Sequence, residues 1–106
     1  MFPIVGSLKN NTFEYNGTSY SLPRHGFARE LTFEVIDKKE DSVIFSLQSN
    51  EETLKKYPFS FELQLSYTLI GRSLHLGYKV INTSDTALPF SIGGHPAFAL
   101  PKAFEK

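Results

Sequence analysis

Two histidines sit where the neighbouring residues stiffen the backbone around an imidazole. His95 lies in Ser91-Ile92-Gly93-Gly94-His95-Pro96-Ala97-Phe98, and His25 lies in Arg24-His25-Gly26-Phe27-Ala28-Arg29. Consecutive glycines let a main chain bend sharply and approach a ligand closely. Pro96 fixes its own φ and biases His95 away from helical geometry. Imidazole is the side chain that best exchanges protons near neutral pH. Two such mounts are expected to face one pocket of monosaccharide size.

Each candidate has a plainer reading. A loop histidine commonly caps a backbone group or is simply exposed, because loops carry both variability and function. The shared form of the two settings argues for function: each joins a stiff turn, a histidine and a nearby phenylalanine. His75 falls on the polar side of a hairpin and is assigned no chemistry. No H-x-H or HExxH pair accompanies the three histidines, so a metal site lacks ligand spacing, and no cofactor is expected. Ser21 and Ser91 lack the G-x-S-x-G elbow of a serine hydrolase. Gly93-Gly94 is no phosphate loop, because Pro96 blocks a following helix. Arg24 and Arg29 flank His25 and have the geometry to bind a hydroxyl or a phosphate, although surface charge is the commoner role for arginine.

The chain has 106 residues, with 11 Lys+Arg against 11 Asp+Glu. That length fits one domain, and the charge balance gives no nucleic-acid footprint. Cysteine is absent, which removes disulfides and thiolate metal sites and permits a reducing compartment. No basic segment leads into an apolar stretch at the N-terminus, and no apolar run reaches membrane-spanning length. A cytoplasmic location without membrane partners is the expectation. Sequons at Asn10, Asn16 and Asn82 then read as chance.

The elements that must hold the histidines are strands. Asn16-Gly17 between Phe13-Glu14-Tyr15 and Thr18-Ser19-Tyr20 predicts a two-residue hairpin pairing Tyr15 with Thr18 and Phe13 with Tyr20. Leu31 to Val35 alternates, and Ser42 to Leu47 reads as its return strand. Ser49 and Glu52 predict a capping box opening a short helix, with Glu51–Lys55 and Glu52–Lys56 pairs, Leu54 and Tyr57 inward, and Pro58 as the stop. Phe59 to Leu69 alternates most clearly. Gly71-Arg72 then predicts a tight turn that sets Leu69 opposite Leu74, Tyr67 opposite Leu76, Leu65 opposite Tyr78 and Thr68 opposite His75. The whole reads as an all-β antiparallel meander, sheet on sheet, with one short helix.

Phe2-Pro3-Ile4-Val5-Gly6, His25-Gly26-Phe27-Ala28-Arg29, Asn50-Glu51-Glu52-Thr53 with Tyr57-Pro58-Phe59, and Gly94-His95-Pro96-Ala97-Phe98 together resemble the aldose 1-epimerase (galactose mutarotase-like) family, most closely its bacterial LacX-type branch. The resemblance implies an antiparallel β-sandwich that is part of a supersandwich, and interconversion of the α- and β-anomers of a hexose, phosphorylated or not. It implies His95 as the catalytic acid at the ring oxygen, His25 as its partner near the reacting centre, and Arg29 as a substrate-binding residue. Phe27 and Phe98 are expected to wall the C–H face of the sugar. None of Glu14, Glu30, Glu34, Glu40, Glu51, Glu52, Glu62 or Glu105 sits in the motif of the family's glutamate base. The expectation is therefore one partial domain over residues 1–106, a central fragment with half of an active site. In isolation it would be weakly active or inactive and prone to self-association through exposed sheet edges. A non-catalytic carbohydrate-binding module is the alternative.

Overall fold

The computed structural model describes residues 1–95. Strands β1 (Thr12–Tyr15) and β2 (Thr18–Ser21) form a two-stranded sheet. Strands β3 (Glu34–Lys38), β4 (Ser42–Gln48), β5 (Phe61–Ile70) and β6 (Ser73–Asn82) form an antiparallel four-stranded meander in chain order. The one α-helix among the described residues, α1 (Glu51–Lys56), bridges β4 and β5. The fold is thus all-β and antiparallel with a single short helix, as the alternation of the sequence implies.

Both hairpin registers follow from side-chain period. Asn16 and Gly17 take φ of 49° and 78°, the left-handed pair that matches the twist of a two-residue hairpin, and Tyr15 pairs with Thr18 and Phe13 with Tyr20. Gly71 takes φ of 59° and sets Leu69 opposite Leu74, Tyr67 opposite Leu76, Leu65 opposite Tyr78 and Thr68 opposite His75. A slip of one residue would carry every apolar side chain to the other face.

Other local expectations shift. The capping box is built from Asn50 and Thr53, not Ser49 and Glu52: Asn50 Oδ1 accepts from the Thr53 N–H, and Thr53 Oγ1 accepts from the Asn50 N–H, both at 2.9 Å. Ser49 is engaged elsewhere, since its hydroxyl accepts from the Phe61 N–H at 3.1 Å and so joins the chain before α1 to the start of β5. Thr53 and Tyr57 are buried, whereas Leu54 is exposed. The ion pair formed is Lys55–Glu52 at i,i+3. The strand foreseen over Leu31–Val35 runs from Glu34 instead, because Ala28–Glu30 closes a 3-10 turn, and its pairing with β4 shifts between Val35 and Asp37.

The core gathers at one end of the large sheet. Phe61 and Leu63 of β5 and Leu47 of β4 meet Phe2, Leu22, Phe27, Tyr57 and Phe59. The ring of Phe2 packs edge-on to Phe61 with centroids 5.0 Å apart, and Tyr15 packs edge-on to Phe59 at 4.8 Å, a geometry worth about 0.5–1.5 kcal/mol per pair beyond area burial. Farther along the same face, Leu69, Leu74 and Tyr78 are each about half exposed. The other face carries Glu62, Gln64 and Ser46, whose side chains hydrogen-bond one another.

The tightest backbone approach is at Gly26. It takes φ of 73°, and a Cβ there would overlap the carbonyl of Phe2. The left-handed conformation costs a side-chain-bearing residue about 1–3 kcal/mol, and displacing a main-chain carbonyl adds a similar amount. Gly26→Ala is expected to lower the unfolding free energy by about 2–4 kcal/mol, read as a fall in the denaturant midpoint. A midpoint within error of the parent would refute the close approach.

Candidate functional site

The N-terminal segment Met1–Gly6 holds both histidine loops. Toward the first, the Phe2 carbonyl accepts from the N–H groups of Phe27 (3.1 Å) and Ala28 (3.2 Å), and the Phe2 N–H donates to the His25 carbonyl at 3.3 Å. The His25 N–H donates to the Gly6 carbonyl at 2.8 Å, and the Gly6 N–H donates to His25 Nδ1 at 3.0 Å. Toward the second, the Ser91 N–H donates to the Pro3 carbonyl at 2.8 Å and the Gly93 N–H to the Met1 carbonyl at 3.1 Å. The Met1 ammonium donates to the Gly93 carbonyl at 2.9 Å. The chain leading to His95 is also held upstream, where the buried Tyr57 hydroxyl donates to the Pro89 carbonyl and the Phe2 ring lies 6.0 Å from that of Phe90. Burial raises the Tyr57 pKa, which keeps this donor protonated.

A cleft of about 200 Å³ opens over the apolar face of the large sheet. Arg29, Phe33, Leu65, Tyr67, Tyr78 and His95 line it, and among the described residues no carboxylate does. Its volume is below the roughly 300–1,000 Å³ of complete ligand pockets, consistent with one wall of a larger site. A second cleft, of about 370 Å³, lies between the β1–β2 hairpin side chains Phe13 and Tyr15 and the Pro89–Ser91 segment, and it carries no histidine.

The expected site residues divide. His95 is exposed at the cleft and Arg29 beside it, with Arg29 Nη2 donating to the Arg24 carbonyl at 3.1 Å. His25 is partly buried and does not line the cleft. Phe27 does not provide a sugar-facing wall: it is only 2% exposed, with its ring 6.2 Å from Phe61 in the core. Phe98 lies outside the described residues. Phe33, Tyr67 and Tyr78 are apolar cleft surfaces that motif reading missed, and the alternation of β5 and β6 was the signal that put both tyrosines on this face. Glu62 cannot reach the cleft, since it points from the opposite face of β5. His75 is exposed on that polar face opposite Thr68. No group of three or more metal-ligating side chains occurs among the described residues, and no helix among them is long and apolar enough to cross a membrane.

Residues 1–106 match the aldose 1-epimerase family, and the chain belongs to that family. It is 38% identical over 107 aligned residues to the plasmid and chromosomal LacX proteins of Lactococcus lactis subsp. lactis, an overlap covering 95% of this chain and 36% of each relative. A galactose mutarotase related enzyme from Lactobacillus acidophilus superposes with a TM-score of 0.94 at 45% identity, over 100% of this chain and 35% of that one. A galactose mutarotase-like protein from Lactobacillus casei superposes with a TM-score of 0.78 at 35% identity, over 83% of this chain and 30% of that one. The chain thus spans about a third of the length of these relatives.

The pKa of His25 is held below its ordinary 6.5 by partial burial first, then by the positive charges of Arg24, Arg29, His95 and the N-terminus. The native ring therefore binds fewer protons than the unfolded one wherever the two differ, so stability rises with pH across that window. This contribution is full above about pH 6.5 and is lost as pH falls from there through the folded-state value. Denaturant midpoints taken across this range should fall more steeply for the parent than for His25→Asn. Equal slopes would mean that the ring is not held neutral.

Proposed function

We propose that this chain forms the histidine-bearing part of an aldose 1-epimerase active site, acting on the anomeric centre of a hexose. One observation carries the reading: the segment Met1–Gly6 is hydrogen-bonded to both histidine loops, and His95 and Arg29 line one cleft on an apolar sheet face. Family membership supports the sugar as the substrate class.

The chemistry follows from what these side chains can supply. His95 donates a proton to the ring oxygen as the C1–O5 bond breaks. A base removes the proton of the anomeric hydroxyl, and the C1 oxygen becomes the aldehyde carbonyl. Rotation about C1–C2 presents the other face, and the reverse proton transfers close the ring as the opposite anomer. Imidazole suits such work because its ordinary pKa is near neutral pH. Arg29 offers a planar set of donors to a hydroxyl or phosphate oxygen, and Tyr67 and Tyr78 offer ring surface to C–H groups. The family resemblance implies a glutamate as this base, and the described cleft lining holds no carboxylate. A single partial domain over residues 1–106 follows from the same reading.

The test is polarimetry of freshly dissolved α-glucose or α-galactose, together with NMR titration of the chain with each sugar. The 106-residue chain should show shifts at His95 and Arg29 with little acceleration of anomer exchange. A relative-length protein carrying the same residues should accelerate exchange, and His95→Asn in it should lower the rate about 10²–10⁴-fold. Sugar-induced shifts without acceleration by the relative-length protein would leave a carbohydrate-binding module. Absence of shifts at both residues would remove the sugar reading.

A further inference from the structure

The two histidines of the site are not equivalent, and the difference lies in main-chain geometry. The His25 ring accepts the Gly6 N–H at Nδ1. A ring nitrogen that accepts carries no proton, so the proton of the neutral ring sits on Nε2, which is the donor. Gly6 is suited to this: its φ is 83°, a conformation that favours glycine, and it bonds His25 twice, through its N–H to the ring and through its carbonyl to the His25 N–H. His25 itself takes φ of 65°, an uncommon conformation for a residue with a side chain. Among the described residues, no hydrogen bond engages the ring of His95.

We propose that Gly6 is a positioning residue that fixes His25 as the Nε2–H tautomer, making it a hydrogen-bond donor to a substrate oxygen. The assignment rests on the sugar-site reading for the identity of that oxygen, but the tautomer is a property of the free protein. The charged and titratable groups that act on the ring are Arg24, Arg29, His95 and the N-terminus. All are cations or become so, and each opposes a second proton at Nδ1. With Nδ1 engaged and cationic charge around it, His25 is poorly placed to shuttle protons and well placed to hold an electron-rich oxygen.

Long-range proton–nitrogen correlation of the ¹⁵N-histidine-labelled chain reads the tautomer without any ligand. His25 should show a non-protonated Nδ1 and a protonated Nε2 at neutral pH. Replacing the Gly6 amide by an ester through ligation of a synthetic N-terminal segment removes the N–H alone and should release His25 into a tautomer mixture. A parent His25 that already averages its tautomers, or an ester form with an unchanged spectrum, would overturn the lock. His25→Asn keeps an acceptor near the Nδ1 position but removes the distal donor, and it should weaken hexose binding about tenfold, the worth of one hydrogen bond. Unchanged affinity in that variant would overturn the donor role. A protein that fails to bind hexose yet shows the locked tautomer would refute the sugar reading and leave the Gly6 assignment standing.

Discussion

The main chain of Phe2 is bonded to the His25 loop, and its side chain is buried in the core. Its carbonyl accepts from Phe27 and Ala28 at once, and its ring contacts Phe61, Tyr57 and Phe90. An aromatic anchor thus fixes the height at which the peptide groups of Met1, Pro3 and Gly6 emerge, and these carry the histidine loops. The constraint runs both ways. Gly26 must lack a side chain so that the Phe2 carbonyl can approach, and Gly93 faces Met1 and Val5 at little more than 3 Å from where a Cβ would stand. The glycines beside the histidines therefore serve the packing of the N-terminal segment as much as any ligand.

The large sheet supplies a platform with two characters. Its polar face is tied by Ser46, Glu62 and Gln64, and these hydrogen bonds hold the Glu62 carboxyl below its ordinary value, Gln64 first and Ser46 second. Its apolar face is buried at the Phe61 end and open at the Tyr67–Tyr78 end, where the cleft forms. Strand alternation places the carboxylate of Glu62 on the face of the sheet opposite the cleft that His95 lines.

Alternation and turn chemistry made the two hairpins legible in the sequence, because Asn16-Gly17 and Gly71 leave few registers that keep apolar side chains together. The histidine motifs were legible as stiff turns. What escaped depends on contacts far apart in the chain. Ser49-Glu52 and Asn50-Thr53 both satisfy a capping pattern, and the choice between them is made by the Phe61 N–H, which engages the Ser49 hydroxyl. Phe27 stands in a loop motif beside a histidine, yet the ring is drawn inward because the Phe2 carbonyl holds the Phe27 N–H. Nothing local in Phe2-Pro3-Ile4-Val5-Gly6 marked it as the strut between two loops. The plainer reading of a loop histidine, as the partner of a backbone group, turned out to describe one nitrogen of His25.

The bond between Met1 and Gly93 joins residues 92 apart, whereas each strand of the large sheet pairs with its immediate neighbour in the chain. Short-range pairing costs little loop-closure entropy and forms early, and long-range pairing is completed after it. The meander can therefore assemble before the N-terminal segment that is bonded to both histidine loops. The same order in reverse makes the His95 arm a candidate for opening while the sheet persists, so that assembly of the site is a late step, separable in time from acquisition of the β-fold.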